Sequence, residues 1–502
     1  FSFLLVVIVF ILFSLAAILF LLFPFYSTES ISSIDKSKFV SIQNEKFSLN
    51  GKLFYPITIN YIVGMQADKD SLWPSSFIAY NQDAKFQFIT KDSCLMQLKA
   101  EMDLIKEMGF NSVRLVGIGE ESMADEFIGR LSVGAKIGNL KDTTIELWSE
   151  ENYKKYFGAI AQVLDIANAS GLKVILLVRM SADVKGTEIH LQKLVHHFRN
   201  DTTIMAYDLF NEPLYFDVPE RDKKVVFKTM KRWAAIAKKN APNQLITIGL
   251  TGIREVFEWD PAILDVDFIS IHPYEYEPEQ VRNEMYWYAN YIKKPWIIGE
   301  TAIPADNDSI SYETQAQFAH KTLKQAYNCG AIGFSWWQYK DVEWHSYHAN
   351  FMGVVNWKGE TKTIKENIPV RGTVKPLVEE FKKFDPRAKK DSCVCLPNYY
   401  NYSQHKDCRI IGVLHDEEGK PLQGGVILVW NEYWSHSYHT ITKPDGSFEL
   451  LGDFPFYHWM ASASSYSMIR ADVLPDTAKK FADGIPTMNI GSLKVAKLSF
   501  VK

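Results

Sequence analysis

Cysteine is scarce in this chain of 502 residues: there are five, Cys94, Cys329, Cys393, Cys395 and Cys408. That is too few for a fold held by disulfides, and an odd count leaves at least one thiol unpaired within the chain. Paired C-x-x-C units are missing, and with them the usual zinc-site spacing. Three of the five cluster near residue 400, so the staple expected in an oxidising compartment is Cys395–Cys408 or Cys393–Cys408. Positive charge is not in excess either: 55 Lys and Arg face 59 Asp and Glu, for a net charge of −4. A nucleic-acid partner is therefore not expected. No G-x-G-x-x-G turn follows the first strand, which argues against a dinucleotide-binding sheet.

Long apolar runs are absent except at one place. Residues 1–23, FSFLLVVIVFILFSLAAILFLLF, carry no charge. About 20 such residues span a bilayer as a helix, whereas a signal-peptide core is shorter and ends at a small-residue site. Pro24, Phe25 and Tyr26 are a poor cleavage context. The expectation is a single-pass membrane anchor over 1–25 and a Ser-rich tether over 26–38, with the remaining chain on the extracytoplasmic side. Asn168, Asn200, Asn307 and Asn401 begin N-x-S/T sequons that could carry glycans there.

From residue 39 onward, short apolar strands alternate with amphipathic helical stretches. KLFYPITINYIVG, NSVRLVGI, KVILLVRM, IMAYDLFNEP, QLITIGLTG, FISIHPY, PWIIGETAI and AIGFSWWQYK are the eight strand segments. Between them lie helical stretches such as 94–108, where Leu95, Leu98, Met102, Ile105 and Met108 recur at helical spacing. Such alternation implies a parallel sheet, and eight repeats over 39–386 fit a closed (β/α)8 (TIM) barrel, an α/β fold. An open doubly wound sheet is the alternative. Residues 387–407 read as a linker. Over 408–502, short strands with turns at Glu418-Gly419-Lys420-Pro421 and Pro444-Asp445-Gly446 read as a small all-β sandwich.

In such a barrel, the residues at the C-terminal strand ends line the site. Those ends offer Arg114 (second strand), Asn211 and Glu212 (fourth), His272 and Tyr274 (sixth), Glu300 (seventh) and Trp336 or Trp337 (eighth). One Glu after a strand is ordinary, because helix N-termini favour acidic residues. Two on opposed strands are a different matter. Retaining glycoside hydrolysis needs one carboxylic acid to protonate the leaving oxygen and one carboxylate to attack the anomeric carbon. Asn211 suits the sugar 2-OH, Tyr274 and Arg114 suit the nucleophile, and His272 suits the acid or the substrate. Either Trp could floor the sugar. The 14% aromatic content, with 13 Trp and 24 Tyr, fits sugar platforms as well as a large core.

These residues resemble glycoside hydrolases of clan A, family 5, the cellulase and mannanase family. The resemblance is carried by FVSIQNEKFSLNGKLFYPITINY, LKAEMDLIKEMGFNSVRLV, YDLFNEP, ISIHPYEY, PWIIGET and GFSWWQY, over about 39–340. It implies a retaining β-glycoside hydrolase acting on a β-linked glucan- or mannan-type saccharide, with Glu212 as acid/base, Glu300 as nucleophile and no cofactor. Arg114, Asn211, His272, Tyr274 and Trp336, or else Trp337, would form the supporting shell. Many members carry a His near the end of the third strand. Here that stretch reads Val178-Arg179-Met180-Ser181, so the subsite for the cleaved sugar is expected to differ. The C-terminal stretch resembles the carboxypeptidase-regulatory-like sandwich and is expected to be a spacer or a docking unit for a protein partner. The competing reading is an idle barrel kept as a structural or glycan-binding subunit of a membrane assembly.

Overall fold

The computed structural model describes residues 35–500 except 82–85, 119–130, 139–140, 148, 185, 218, 345, 402, 404 and 474–477. The expected anchor and nearly all of the tether lie outside the described residues. Among those described, no helix is long and apolar enough to cross a membrane.

Eight strands close a barrel: β1 (Ile57–Ala67), β2 (Ser112–Val116), β3 (Lys173–Leu177), β4 (Ile204–Asn211), β5 (Leu245–Leu250), β6 (Ile269–Ile271), β7 (Trp296–Ile298) and β8 (Phe334–Trp336). Each pairs in parallel with the next, and Phe334, Ser335 and Trp336 of β8 pair with Ile57, Thr58 and Ile59 of β1 to complete the ring. The open-sheet alternative is thereby excluded. A short strand buried on both faces reads as a continuous apolar run, as Val174–Leu177 does.

The outer ring holds α1 (Lys91–Glu107), α2 (Glu150–Ala169), α3 (Gly186–His197), α4 (Lys223–Asn240), α5 (Val281–Tyr291), α6 (Tyr312–Asn328) and α7 (Val378–Lys383). Four helices start where the sequence offers a cap: the side chains of Thr90, Ser149, Asp222 and Ser311 each accept a bond from a first-turn amide, which satisfies an otherwise orphan donor. After β5 the crossover contains only a 3-10 turn, Ile253–Phe257. The stretches at 132–146 form an antiparallel hairpin, and β1 runs on to pair with Leu72–Ser76.

Two four-stranded sheets follow the barrel. The first has the order β12 (Ser447–Gly452), β9 (Cys408–Asp416), β16 (Pro486–Val495), β15 (Lys479–Lys480). The second has the order β11 (Ser437–Ile441), β10 (Val426–Trp430), β13 (His458–Ser462), β14 (Ile469–Asp472). Ile410, Leu414, Ile427, Val429, Phe448 and Leu450 form the core between them. The opposite face of the second sheet, with Val426, Leu428, Ile441 and Met460, belongs to the barrel's own hydrophobic core. All five residues of β10 are consequently buried. Polar anchors reinforce this contact. Trp287 Nε1 donates to Gly424 O at 2.8 Å. The buried Lys223 ammonium donates to Asp260 Oδ2 at 3.0 Å, Ser462 Oγ at 2.9 Å and Tyr466 O at 2.6 Å.

The expected staple is corrected. The disulfide joins Cys329 to Cys393, while Cys94, Cys395 and Cys408 are free. Cys408 is buried at the start of β9 with its thiol toward Gly452 O and Phe454 O, out of reach of a partner. Cys329 closes α6, and the 387–407 stretch runs along that helix end: Gln325 Nε2 donates to Val394 O at 2.6 Å, and Leu396 N to Asn283 Oδ1 at 2.7 Å. The stretch read as a linker is strapped to the barrel.

Candidate active site

Arg114 stands at the centre of the barrel mouth, fully buried on β2. Its Nε donates to Asp208 Oδ2 at 2.8 Å, Nη1 to Asn60 Oδ1 at 3.0 Å and to Glu300 Oε1, and Nη2 to Asn211 Oδ1 at 2.8 Å. A planar guanidinium can serve four acceptors in one plane, which an ammonium cannot. Asp208 also accepts from Gly249 N at 3.1 Å, and Asn60 Nδ2 donates to Gly299 O at 2.9 Å. Because Asn211 spends its oxygen on Arg114, its Nδ2 remains as a donor.

His272 Nδ1 lies 3.0 Å from Glu212 Oε1 and 3.6 Å from Glu300 Oε1. Glycine is needed at 249 and 299 to make room for this ring, since a Cβ there would fall 2.5 Å and 2.8 Å from imidazole atoms. Burial pushes the imidazole down to about 4, so it is neutral near pH 7. Its Nε2 has no hydrogen-bond partner among the described residues. The proton therefore belongs on Nδ1, which donates to Glu212. Tyr274 Oη donates to Glu300 Oε2 at 3.3 Å.

Glu212 is held by an unusual backbone. It follows β4 at φ 49°, in the left-handed region, and opens the short helical turn Pro213–Phe216. Non-glycine residues occupy that region at a cost, and such strain clusters at functional sites. Burial raises the Glu212 carboxyl to about 7, against opposing pulls from Arg114 and Arg254 and a push from Asp208. Burial also raises Glu300, while His272 and Arg114 pull it back and Glu212 pushes it up. One oxygen of each Glu and the His272 nitrogen all fall within 4.8 Å of one another. A cation could use that spacing, but Arg114 already places its positive charge on Glu300.

Glu212, His272, Tyr274 and Glu300 open into a cavity of about 780 Å³ at the C-terminal end of the strands, lined also by Tyr215, Trp337, Trp344 and Met352. Another cavity, of about 560 Å³, is lined by residues such as Lys46, Tyr55 and Trp296, with no acid but Glu45. Only the first pairs a carboxyl that stays protonated near neutrality with one held against a guanidinium.

The cellulase model, glycosyl hydrolase family 5, matches residues 79–340, just over half of the chain. The chain belongs to glycoside hydrolase family 5. It is thus a glycoside hydrolase, of a family that works with retention of anomeric configuration, and carbohydrate is its substrate. Comparison with curated proteins finds no match. Solved structures that it resembles include a family 5, subfamily 18 protein from Streptomyces cattleya in complex with GlcNAc (13% identity, 72% of this chain and 84% of that one, TM-score 0.46). Others are the endo-1,4-β-mannanase from Rhizomucor miehei (14%, 60% and 90%, 0.42) and the exo-β-1,4-mannosidase Op5Man5 from Opitutaceae bacterium strain TAV5 (15%, 68% and 61%, 0.46).

Within this family 5 barrel, Arg114, Asn211, Glu212, His272, Tyr274 and Glu300 converge on one mouth. Trp336 does not, and that expectation is corrected. Alternation along β8 turns its ring outward, where it is fully buried against Phe318 and Phe381 and donates from Nε1 to Met352 O at 2.8 Å. Trp337 lines the cavity instead, 6.3 Å from Trp344. Arg179, at the end of β3, sits at φ 52° with its guanidinium 5.9 Å from the Phe216 ring. Sequence reading missed Asp208 and Asn60. Both occupy inward positions of strands, and polar residues inside an apolar strand run were the available signal. It also missed Ser437 and His439, which come from β11 and still line the cavity.

Proposed function

We propose that Glu212 is the general acid/base and Glu300 the nucleophile of a double displacement on a β-linked glucan- or mannan-type saccharide. The observation that carries this is the shared imidazole nitrogen, 3.0 Å from one carboxyl and 3.6 Å from the other. Retaining pairs stand about 5–5.5 Å apart, whereas inverting pairs need about 6.5–9.5 Å to admit a water. In the first step Glu300 attacks the anomeric carbon as the glycosidic C–O bond breaks, and the Glu212 proton passes to the leaving oxygen. In the second, Glu212 takes a proton from water, and that water's oxygen displaces Glu300. Arg114 and Tyr274 keep Glu300 ionised and aimed, and Asn211 Nδ2 is left to meet the sugar 2-OH. Trp337 is the proposed floor of the subsite.

The test is turnover of 4-nitrophenyl β-glycosides and β-1,4-linked oligosaccharides by the full chain, with Glu300→Gln as control and product anomers followed by NMR. The proposal expects a β-anomer first and loss of at least three orders of magnitude in Glu300→Gln. An α-anomer first, or full activity in that variant, overturns it. The idle-barrel reading finds no support, since a scaffold has no use for this pair and its shell.

We also propose the N-terminal run as a single-pass anchor with the barrel on the extracytoplasmic side. The Cys329–Cys393 disulfide supports an oxidising compartment, and Asn168, Asn200 and Asn307 are exposed. Protease protection in sealed vesicles decides the orientation: a barrel digested from the cytoplasmic face overturns it.

A further inference from the structure

Resting on that reading of Glu212, we infer that the C-terminal module is part of the substrate cleft: its strand β11 forms the wall that receives the leaving sugar, with Ser437 and His439 as hydrogen-bonding contacts. Ser437, His439 and Ile441 share one face of β11. Ile441 packs into the barrel core, and the other two line the cavity that also holds Glu212 and Glu300.

The side of the cleft follows from the neighbours. His439 Nε2 is 3.7 Å from Glu275 Oε1. Glu275, Arg254 and Tyr215 line the same cavity. The Arg254 guanidinium lies 5.8 Å from the Tyr215 ring, Tyr215 N donates to Glu212 O at 2.9 Å, and the Arg254 charge pulls both Glu212 and His439 down. The chain of groups from His439 thus leads to the proton donor. Trp337 lies at the other carboxyl, its amide donating to Thr301 O at 3.2 Å beside Glu300. The proton donor faces the leaving group and the nucleophile faces the sugar that is retained. The β11 wall therefore belongs to the leaving group.

Its chemistry suits a hydroxylated ring. Burial pushes His439 down to about 4, so near neutrality its ring is neutral, which matches hydroxyl groups rather than a charged ligand. Tyr276, 63% exposed at the rim, stacks on His436 of the module with centroids 6.2 Å apart and planes 11° apart, and meets Tyr438 edge-on at 5.7 Å. This aromatic step, built from both parts of the chain, offers a face for pyranose C–H groups. The wall is also fixed in place: besides the Lys223 cluster, Ser465 N donates to the same Asp260 Oδ2 at 2.8 Å. A wall ordered before binding loses little entropy on taking up its sugar.

The test compares leaving groups in the full chain. Measure kcat/KM for a 4-nitrophenyl β-D-glycoside and for the β-1,4-linked disaccharide of the same sugar, with mannose and glucose as the two probes. The ratio of disaccharide to aryl glycoside should fall at least tenfold in His439→Ala and several-fold in Ser437→Ala. His439→Gln, which keeps a donor and an acceptor, should restore part of it. Should His439→Ala fail to fold, the other two variants carry the test. A ratio within twofold of wild type in every folded variant overturns the proposal. So does a wild-type enzyme that cleaves the aryl glycosides and neither disaccharide. Glu300→Gln separates the two levels: wild-type turnover in that variant sinks the nucleophile assignment, whereas a Glu300-dependent enzyme with an unmoved ratio sinks only the wall.

Discussion

The imidazole of His272 holds its Nδ1 3.0 Å from Glu212 Oε1. Because that ring is neutral near pH 7, it orients the Glu212 carboxyl without ionising it, and burial keeps the carboxyl protonated up to about 7. A general acid works only while protonated. We therefore predict that kcat/KM for an aryl β-glycoside falls above pH about 7, tenfold per unit, as Glu212 loses its proton. The acid limb belongs to Glu300, whose carboxyl is also raised by burial; activity is lost as pH drops through its titration. The two limbs are properties of the coupled pair. Glu212→Gln should abolish the alkaline limb, and with a 2,4-dinitrophenyl leaving group it should retain the glycosylation burst, since that group departs without a proton. An alkaline limb that persists near 7 in Glu212→Gln would sink the assignment.

The same burial has a stability consequence. Glu212 titrates at about 7 in the folded chain against 4.5 when free. The folded state therefore binds the proton more tightly, so this group's contribution is full below pH 4.5 and is lost as pH rises through 7. The difference corresponds to about 3 kcal/mol. Replacing the carboxyl by its neutral isostere removes the penalty. Glu212→Gln is expected to unfold at higher urea than wild type at pH 8 and at the same urea at pH 4. Equal midpoints at both pH values would show that Glu212 is not desolvated as described.

Much of this was written in the chain, and what was not has physical causes. The eight strands and the closed barrel follow from apolar runs alternating with helical periodicity, and the strand-end Glu pair follows from the barrel. The placing of Trp336 and Trp337 turned on alternation at the end of a three-residue strand, where a one-residue shift exchanges the two faces. The disulfide was misread because nearness in sequence was taken for nearness in space; Cys329 ends a helix that the 387–407 stretch folds back along. The β10 run Val426–Trp430 carried a signal that went unused. An antiparallel sandwich strand with one wet face should alternate, and five consecutive apolar residues meant that its second face was covered, here by the barrel. Ser437 and His439 could not have been assigned to the cleft without that docking.

Arg114 supports two carboxylates at once, Glu300 and Asp208. Removing the guanidinium leaves both buried without a cation, and breaking such a buried pair costs about 3–5 kcal/mol. Arg114→Met is expected to destabilise by that order and to move the acid limb of kcat/KM to higher pH, because Glu300 loses a positive neighbour that lowers its titration. Asp208→Asn should do the opposite in sign at Glu300: Arg114 then has one anion to satisfy instead of two, and the acid limb moves to lower pH. Limbs that stay put in both variants would separate Arg114 from the nucleophile.

The cysteines permit a direct check of the chain path. The Cys329–Cys393 bridge closes a loop with a sequence separation of 64, for which the chain-entropy relation gives about 4 kcal/mol of stabilisation. Cys393→Ser should lower the urea midpoint accordingly in oxidising buffer and should erase the difference between oxidised and reduced protein. Alkylation resolves the pairing. In the native state only Cys395 is exposed, while Cys94 and Cys408 are buried, and burial pushes the Cys408 thiol up to about 12, where little thiolate exists to react. Native protein without reductant should therefore label at Cys395 alone, unfolding should add Cys94 and Cys408, and Cys329 and Cys393 should label only after reduction. Labelling of Cys329 before reduction, with Cys395 or Cys408 protected in the unfolded state, would mean that Cys393 does not pair with Cys329 and that the 387–407 stretch is not strapped to α6 by a disulfide.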